Sequence, residues 1–410
     1  MFNKDQIFNK TMMREIILMF VAIALIGFSS GIIENIQTNF YTVIGMTTAN
    51  RAELEIPREV PGLVQSLIIA ALSLLTLGRM GSVAMFIRTA GLVCISLFVS
   101  KFNTPFIIFA VTVSLGEHIF MPLRNSIGIT IANHGCEGRV LGLMDAVTTM
   151  LSVAASLIVL FAFDGRKLSN YSAFYLVAAA VSLGAGLALF FMRTRKGGET
   201  IKRPKLVIKK KYALYYIISF VSGFRKQIYL IFAPWLLVYT FGQTVQSMTL
   251  LYIIGSVSVF FVNPFIGHLI DKHGERRLLV TGGFICIAVY ILYALLCNSD
   301  PANAVVVLVL FALSFVDRMT LSTLIGRDIF VKHTASDPAE IMPTLSLGIS
   351  LDHVASITSP LISAFVWQAA GPQWVFIIGA VIGAIYTGVC FLVPRKPNAP
   401  QIAEQVVTEV

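Results

Sequence analysis

The chain has 410 residues, of which 56% are apolar and 13% charged, with a formal net charge of +10 and a mean hydropathy of +0.81. An average soluble domain carries roughly 25% charged residues, so the polar surface needed to clothe a soluble core is missing, and a soluble enzyme is excluded as the first reading. The roughly 230 apolar residues, at about 20 per transmembrane helix, supply a dozen spans.

In chain order, the N-terminus MFNKDQIFNKTMMREI has no small-residue cleavage site behind a short apolar stretch. The first apolar run, 15–41, therefore reads as a retained span and not as a signal peptide. It carries Glu34 among Asn35, Gln37 and Asn39. In the polar outer segment 46–61, Pro57, Arg58, Glu59 and Pro61 predict a rigid turn before span two. Runs at 62–78 and 82–100 follow, divided only around Gly78, Arg79 and Gly81. Span four, 104–127, contains Glu117 and His118. Span five, 140–163, has Asp145 nearer its inner end, and span six is 171–192. After the basic stretch TRKGGETIKRPKLVIKKK come six more runs: 213–238 with Arg225 and Lys226, 246–269, 278–297, 303–327 with Asp317 and Arg318, 343–367 with Asp352 and His353, and 372–393.

Twelve spans put both termini on one side. With that side taken as cytoplasmic, 23 Lys and Arg fall in inner segments, Arg88 being a borderline member, against five outside (Arg51, Arg58, Lys101, Arg166 and Lys167). This asymmetry fits the positive-inside rule and orients the chain in a cell membrane, read as a bacterial inner membrane. The basic linker then needs no nucleic-acid partner; facing anionic lipid accounts for it. The division that follows is an N-terminal six-helix bundle at 1–193, a cytoplasmic linker at 194–211, a C-terminal six-helix bundle at 212–396 and a cytoplasmic tail at 397–410. Weak internal matches support two halves: Val64-Gln65-Ser66 with Val245-Gln246-Ser247, Gly27-Phe28 with Gly223-Phe224, and Leu141-Gly142 before Asp145 with Leu347-Gly348 before Asp352. Repeats of this kind mark secondary transporters. The five cysteines show neither a disulfide framework nor a metal-binding spacing, so no cofactor or metal is expected.

The sharpest motif lies between spans eight and nine: Gly267-His-Leu-Ile-Asp271-Lys272-His-Gly274-Glu-Arg276-Arg277. Physically it describes a tight turn, with Gly267 allowing helix approach, Gly274 permitting the reversal, Asp271 available to a basic partner or a helix N-terminus, and the arginines anchoring at headgroups. It closely resembles the loop signature of the major facilitator superfamily, and with six-plus-six spans and a basic central linker the resemblance covers about residues 15–395. The resemblance implies an all-α membrane protein of 12 transmembrane helices in two pseudo-symmetric six-helix bundles. It implies a gating role for Asp271 and its neighbours. The first-half counterpart, Gly78-Arg79-Met80-Gly81, lacks the acidic residue, which implies an inner latch made mainly by the second half. The Gly138-Arg139 turn also resembles an inner-loop feature of the family. Asp145, like Arg124, reads as a gate or surface residue near the inner face.

Ionisable groups inside a membrane are expensive and therefore informative. Glu34, Gln37, Glu117, His118, Arg225, Lys226, Asp317, Arg318, Asp352 and His353 are the candidates for binding or coupling. They fall on spans that the resemblance places around or beside a central cavity. Adjacent helical residues point about 100° apart, so in each dyad one member can face a solute while the other grips a neighbour. Arg225 or Lys226 against Glu34, Glu117 or Asp317 are the pairs considered, and a carboxylate whose pair opens becomes easier to protonate. The leading expectation is a monomeric, non-enzymatic secondary active transporter for a small polar solute, anionic or zwitterionic, by alternating access and driven by protons or sodium. Two alternatives stay open: a proton-coupled exporter of amphipathic compounds, and a membrane-embedded sensor or assembly protein on a transporter scaffold.

Overall fold

A computed structural model describes residues 7–8, 10–72, 74–133, 136–165, 167–193, 208–336 and 340–395. Most of the linker (194–207), the tail from 396 onward and Arg166 lie outside the described residues. Among those described the chain is all-helical, with one isolated backbone bridge between Phe8 and Ala132.

The twelve transmembrane helices are α1 Met13–Val43, α2 Thr48–Ala71, α3 Leu77–Phe98, α4 Thr104–Ile131, α5 Glu137–Ala162, α6 Leu168–Phe190, α7 starting as Ala213–Gln227, α8 Val245–His273, α9 Glu275–Leu296, α10 Ala304–Thr334, α11 Ile341–Ala370 and α12 Pro372–Cys390. Ten are long and apolar enough to cross a membrane by composition. The other two are α2, with a charged first half, and α7, which is broken. Their starts are cut by local chemistry. The Asn103 side chain accepts from the Phe106 N–H at 3.0 Å to cap α4, and Asn303 caps α10 in the same way through Val305 and Val306. Gly274 (φ +80) and Gly371 (φ +99) take the left-handed turns between α8 and α9 and between α11 and α12.

Three departures from the sequence reading have physical causes. The segment 46–61 is not a loop: α2 begins at Thr48 and runs through Pro57 and Pro61. Two of its charges cancel along the helix, Arg51 pairing Glu55 one turn on and both buried. The seventh span runs to Thr240, but Pro234 lacks the N–H of a regular helix. The short α-turn Ala233–Trp235 is flanked by π-helical stretches at Ile228–Phe232 and Leu236–Thr240. The tenth span continues beyond 327 to Thr334 through a 3-10 turn at Ser322–Leu324. Arg327 and Lys332 are therefore helical residues and not loop residues.

The chain forms two compact units, the first comprising Met1–Thr47, Pro57–Lys202 and Thr244–Ser256 and the second Thr48–Ile56, Arg203–Gln243 and Val257–Val410. Within the first, α1 packs on α5 and α6, and α3 packs on α4 and α6. Within the second, α7 packs on α11 and α12, and α9 packs on α10 and α12. Each pair in one list corresponds to a pair six helices later in the other. The matched glycines occupy corresponding crossings. A Cβ on Gly27 would lie 2.4 Å from the Thr148 carbonyl oxygen of α5, and one on Gly223 would lie 2.9 Å from Asp352 Oδ1 of α11. Small residues at these points let helices approach without a hydrophobic driving force between them.

Candidate functional site

In the first unit, helical periodicity places the polar residues of α1 on one stripe. Ser30, Glu34, Gln37 and Tyr41 recur at intervals of three and four and so share a face. Phe106, Ala110, Val113, Ser114 and Glu117 form the matching stripe on α4. These stripes, with Arg58 of α2, Arg88 of α3 and Tyr175 of α6, line a cavity of about 160 Å³. Gln37 donates to the Tyr41 hydroxyl, and Tyr41 is buried beneath it.

The carboxylate of Glu117 accepts from Arg88 Nε at 3.0 Å. Its side chain remains 43% exposed whereas that of Arg88 is 1% exposed, so the carboxylate faces the cavity and the guanidinium backs it. His118, on the adjoining face, directs Nδ1 to the Ser114 carbonyl oxygen at 2.9 Å and lies 3.1 Å from its hydroxyl. Asn35 faces away from the cavity, donating to the Gly31 carbonyl and to Ser156 Oγ of α5.

In the second unit the dyad Arg225-Lys226 splits as a 100° turn requires. Arg225 is fully buried, stands over the Tyr386 ring of α12 at 5.5 Å and reaches Thr320 Oγ1 at 3.1 Å. Thr320 in turn donates to Asp317 Oδ1 at 3.1 Å. Arg225 and Asp317 thus meet through a hydroxyl in the interior of their own bundle. Lys226 instead forms an ion pair with Asp352 of α11, and Arg327 Nη1 stands 3.9 Å from the same carboxylate. Arg318, beside Tyr229, and His353 are half-buried. Within each unit taken alone, no three His, Cys, Asp or Glu side chains among the described residues converge closely enough to hold a metal ion.

Around the signature loop, Gly274 makes the reversal between α8 and α9, Lys272 is exposed, Arg277 lies 3.1 Å from His273, and Arg276 stands over Phe391 at 5.7 Å. Gly267 and Asp271 are on α8, but the side chain of Asp271 lies outside the described residues. Asp145 pairs with Arg124 at 2.5 Å, and Arg139 is exposed. A further clamp closes where the linker enters the second unit. Lys209, Lys211 and the Tyr212 hydroxyl all bind Glu340, the hydroxyl at 2.6 Å. The Lys209 ammonium, then Lys211 and Tyr212, hold the Glu340 carboxyl down at about 2.

The structure therefore brings Glu34, Gln37 and Glu117 to one cavity, Lys226 and Asp352 to one ion pair, and Arg225 and Asp317 to one buried centre. It adds residues that sequence reasoning missed. Arg88, counted among inner-loop charges, lies midway along α3, and Arg58, counted in an outer loop, lines the cavity from α2. A signal was present for Arg88: it stands two turns inside an apolar run with no acidic residue on its own span, so its partner has to come from another helix.

The family model of the Major Facilitator Superfamily matches residues 19–327 and 215–408. No curated protein matches the chain in sequence. Among solved structures, the nucleoside transporter NupG aligns at 14% identity and a TM-score of 0.70, covering 94% of this chain and 99% of that one. A bacterial homologue of the human lysosomal transporter Spinster aligns at 14% identity and 0.71, covering 92% and 96%. A D-xylose-proton symporter aligns at 14% identity and 0.67, covering 93% and 98%.

Proposed function

The chain belongs to the Major Facilitator Superfamily and is a multi-pass transporter of the membrane, and on that premise we propose that it carries a small polar solute by alternating access, coupled to protons, with the solute held in the cavity of the first unit. The observation that carries this reading is the cavity's lining. Carboxylates on α1 and α4 and an amide stand together on helices that otherwise read as lipid-compatible, joined by a guanidinium from α2, and polar groups at such depth are kept for function. Both signs are represented, and Arg88 is spent on Glu117, so the lining suits a zwitterionic or uncharged hydrogen-bonding solute better than a simple anion. The solutes printed for two structural neighbours, a nucleoside and D-xylose, are in keeping with that class, and one of those neighbours is a proton symporter.

Proton coupling rests on the carboxylates. Glu34 and Glu117 in the cavity, and Asp317 and Asp352 in the second unit, each sit where a change of protonation alters a hydrogen bond or an ion pair. Lys226–Asp352 and Arg225–Thr320–Asp317 are the linkages of the second unit that would re-form during the cycle. The signature loop from Gly267 to Arg277 serves as the gating element of the second unit, and the Arg124–Asp145 pair and Arg139 as those of the first. The protein works as a monomer in a bacterial inner membrane, with both termini and the linker cytoplasmic.

The test is uptake and counterflow in proteoliposomes with uridine, D-xylose and a panel of amino acids, imposing pH and sodium gradients separately. Uptake driven by the pH gradient and lost in Glu34→Gln is the expected result. The transport reading falls if no solute of the panel moves under either gradient and none raises the thermal stability of the purified protein.

A further inference from the structure

We propose that Arg88 is a positioning residue: buried in the cavity wall, it acts through Glu117, fixing that carboxylate and thereby setting how the cavity grips its solute. The role assigned to the cavity is the one given above, but the placement of Glu117 by Arg88 stands on geometry alone.

Every nitrogen of the Arg88 guanidinium is committed to a different acceptor. Nε donates to Glu117 Oε1 at 3.0 Å, Nη1 to Ser29 Oγ at 2.9 Å and Nη2 to Ser30 Oγ at 3.1 Å. Ser29 Oγ passes the link on by donating to the Ala178 carbonyl of α6 at 2.8 Å. One side chain of α3 thus ties α1, α4 and α6 together. It borders the cavity, but at 1% exposure, with each of its three nitrogens donating to a protein acceptor, it is held within the wall. A buried cation needs its partner, and the planar fork of arginine suits three acceptors in different directions where a lysine ammonium does not.

The backbone enforces the same registration independently. A Cβ on Gly116, the residue before Glu117, would lie 2.5 Å from the Ala84 carbonyl oxygen and 2.8 Å from Arg88 Cβ. α3 and α4 therefore touch at the turn that carries the pair, which holds the Glu117 backbone beside Arg88.

Carbodiimide labelling of the purified full-length protein tests this without any solute. Carboxyl oxygens attack the carbodiimide carbon of dicyclohexylcarbodiimide to give an O-acylisourea that rearranges to a stable N-acylurea, and a carboxylate held on a guanidinium is a poor nucleophile for it. Modification of Glu117 and of Glu34, in the same cavity, is followed by peptide mass spectrometry. Loss of a charge-assisted hydrogen bond corresponds to roughly tenfold or more. Arg88→Met should accelerate labelling of Glu117 by that factor while Glu34 changes by less than about twofold, with Arg88→Lys intermediate. Unchanged labelling of Glu117, or a parallel rise at Glu34, would overturn the proposal, the second because it means general loosening. Should Arg88→Met fail to fold, Arg88→Lys and Ser30→Ala decide it: Glu117 labelling at the wild-type rate in both refutes the role, and acceleration confined to Glu117 sustains it. A failed uptake screen leaves this result standing, and a failed labelling result leaves the transport reading standing.

Discussion

Removing either partner of the Lys226–Asp352 pair tests the electrostatics of the second unit, because the structure makes the two removals unequal. The side chains are 25% and 14% exposed, so the pair lies inside the bundle, and breaking such a pair by deleting one member costs about 3–5 kcal/mol. Lys226→Met leaves Asp352 with Arg327 at 3.9 Å, a distance at which two unit charges attract by roughly 4 kcal/mol at an effective dielectric constant near 20. That residual partner offsets much of the loss, and we expect a cost near 1–2 kcal/mol, below the range for an uncompensated charge. Asp352→Asn instead leaves the Lys226 ammonium without its acid while Arg327 keeps Asp328 at 3.1 Å, so its cost should fall within the full range. The double variant removes that orphaned ammonium along with the attraction and should lie closer to Lys226→Met than to Asp352→Asn. Thermal unfolding of the purified variants in one detergent, followed by a thiol-reactive dye, ranks the three. The reasoning fails if Lys226→Met is as destabilising as Asp352→Asn, which would mean that Arg327 does not act as a second partner.

Gly27→Ala should destabilise by about 1–3 kcal/mol, the cost of overpacking, because its Cβ would meet the backbone of Thr148 at 2.4–3.0 Å. Gly142→Ala, with nothing within 4 Å of its Cβ, should instead stabilise α5 by roughly 0.5–1 kcal/mol, and equal melting shifts for the two would contradict the α1–α5 contact. The clamp on Glu340 is a lowered-pKa case: its stabilisation is complete above the ordinary value of 4.5 and fades as pH falls from there toward about 2. The difference in melting temperature between Glu340→Gln and the wild type should therefore stay constant over roughly pH 6–8, and a difference that shrinks within that window counts against the clamp. Asp145, with its side chain 70% exposed in its pair with Arg124, should tolerate Asn at a cost within about 1 kcal/mol, measured on the same melting scale.

The helical architecture was legible because the membrane demands apolar runs of a set length, and eleven of the twelve helices cover nearly the stretches that hydropathy marks. α2 escaped for a specific reason. Its first half, with Arg51, Glu53, Glu55, Pro57 and Arg58, has the composition of a loop, yet Arg51 and Glu55 neutralise one another at one-turn spacing and the prolines sit within the helix. Hydropathy sums residue by residue and cannot register a charge cancelled four positions away. The divergence of Arg225 from Lys226 was legible from helix geometry. Which neighbour each would grip was not, since Thr320 and Asp352 come from helices 95 and 126 residues on.

The same limit governs Arg88. Counted by sign it joins the inner-side basic residues and improves the positive-inside tally; read by position it is a buried cation in the middle of α3. The two readings differ in what they demand of the rest of the chain. A headgroup arginine needs only lipid phosphate, so nothing else in the protein has to change with it. A buried one demands an acid at the same depth on a touching helix, and Glu117 meets that demand because Gly116 lets α4 come close enough for a 3.0 Å contact. The informative pattern was therefore a glycine beside an acid on one span, with a lone arginine on the span before it. That pattern assigns the arginine inward, and it makes the depth of Glu117 a consequence of helix packing before it is a matter of solute chemistry.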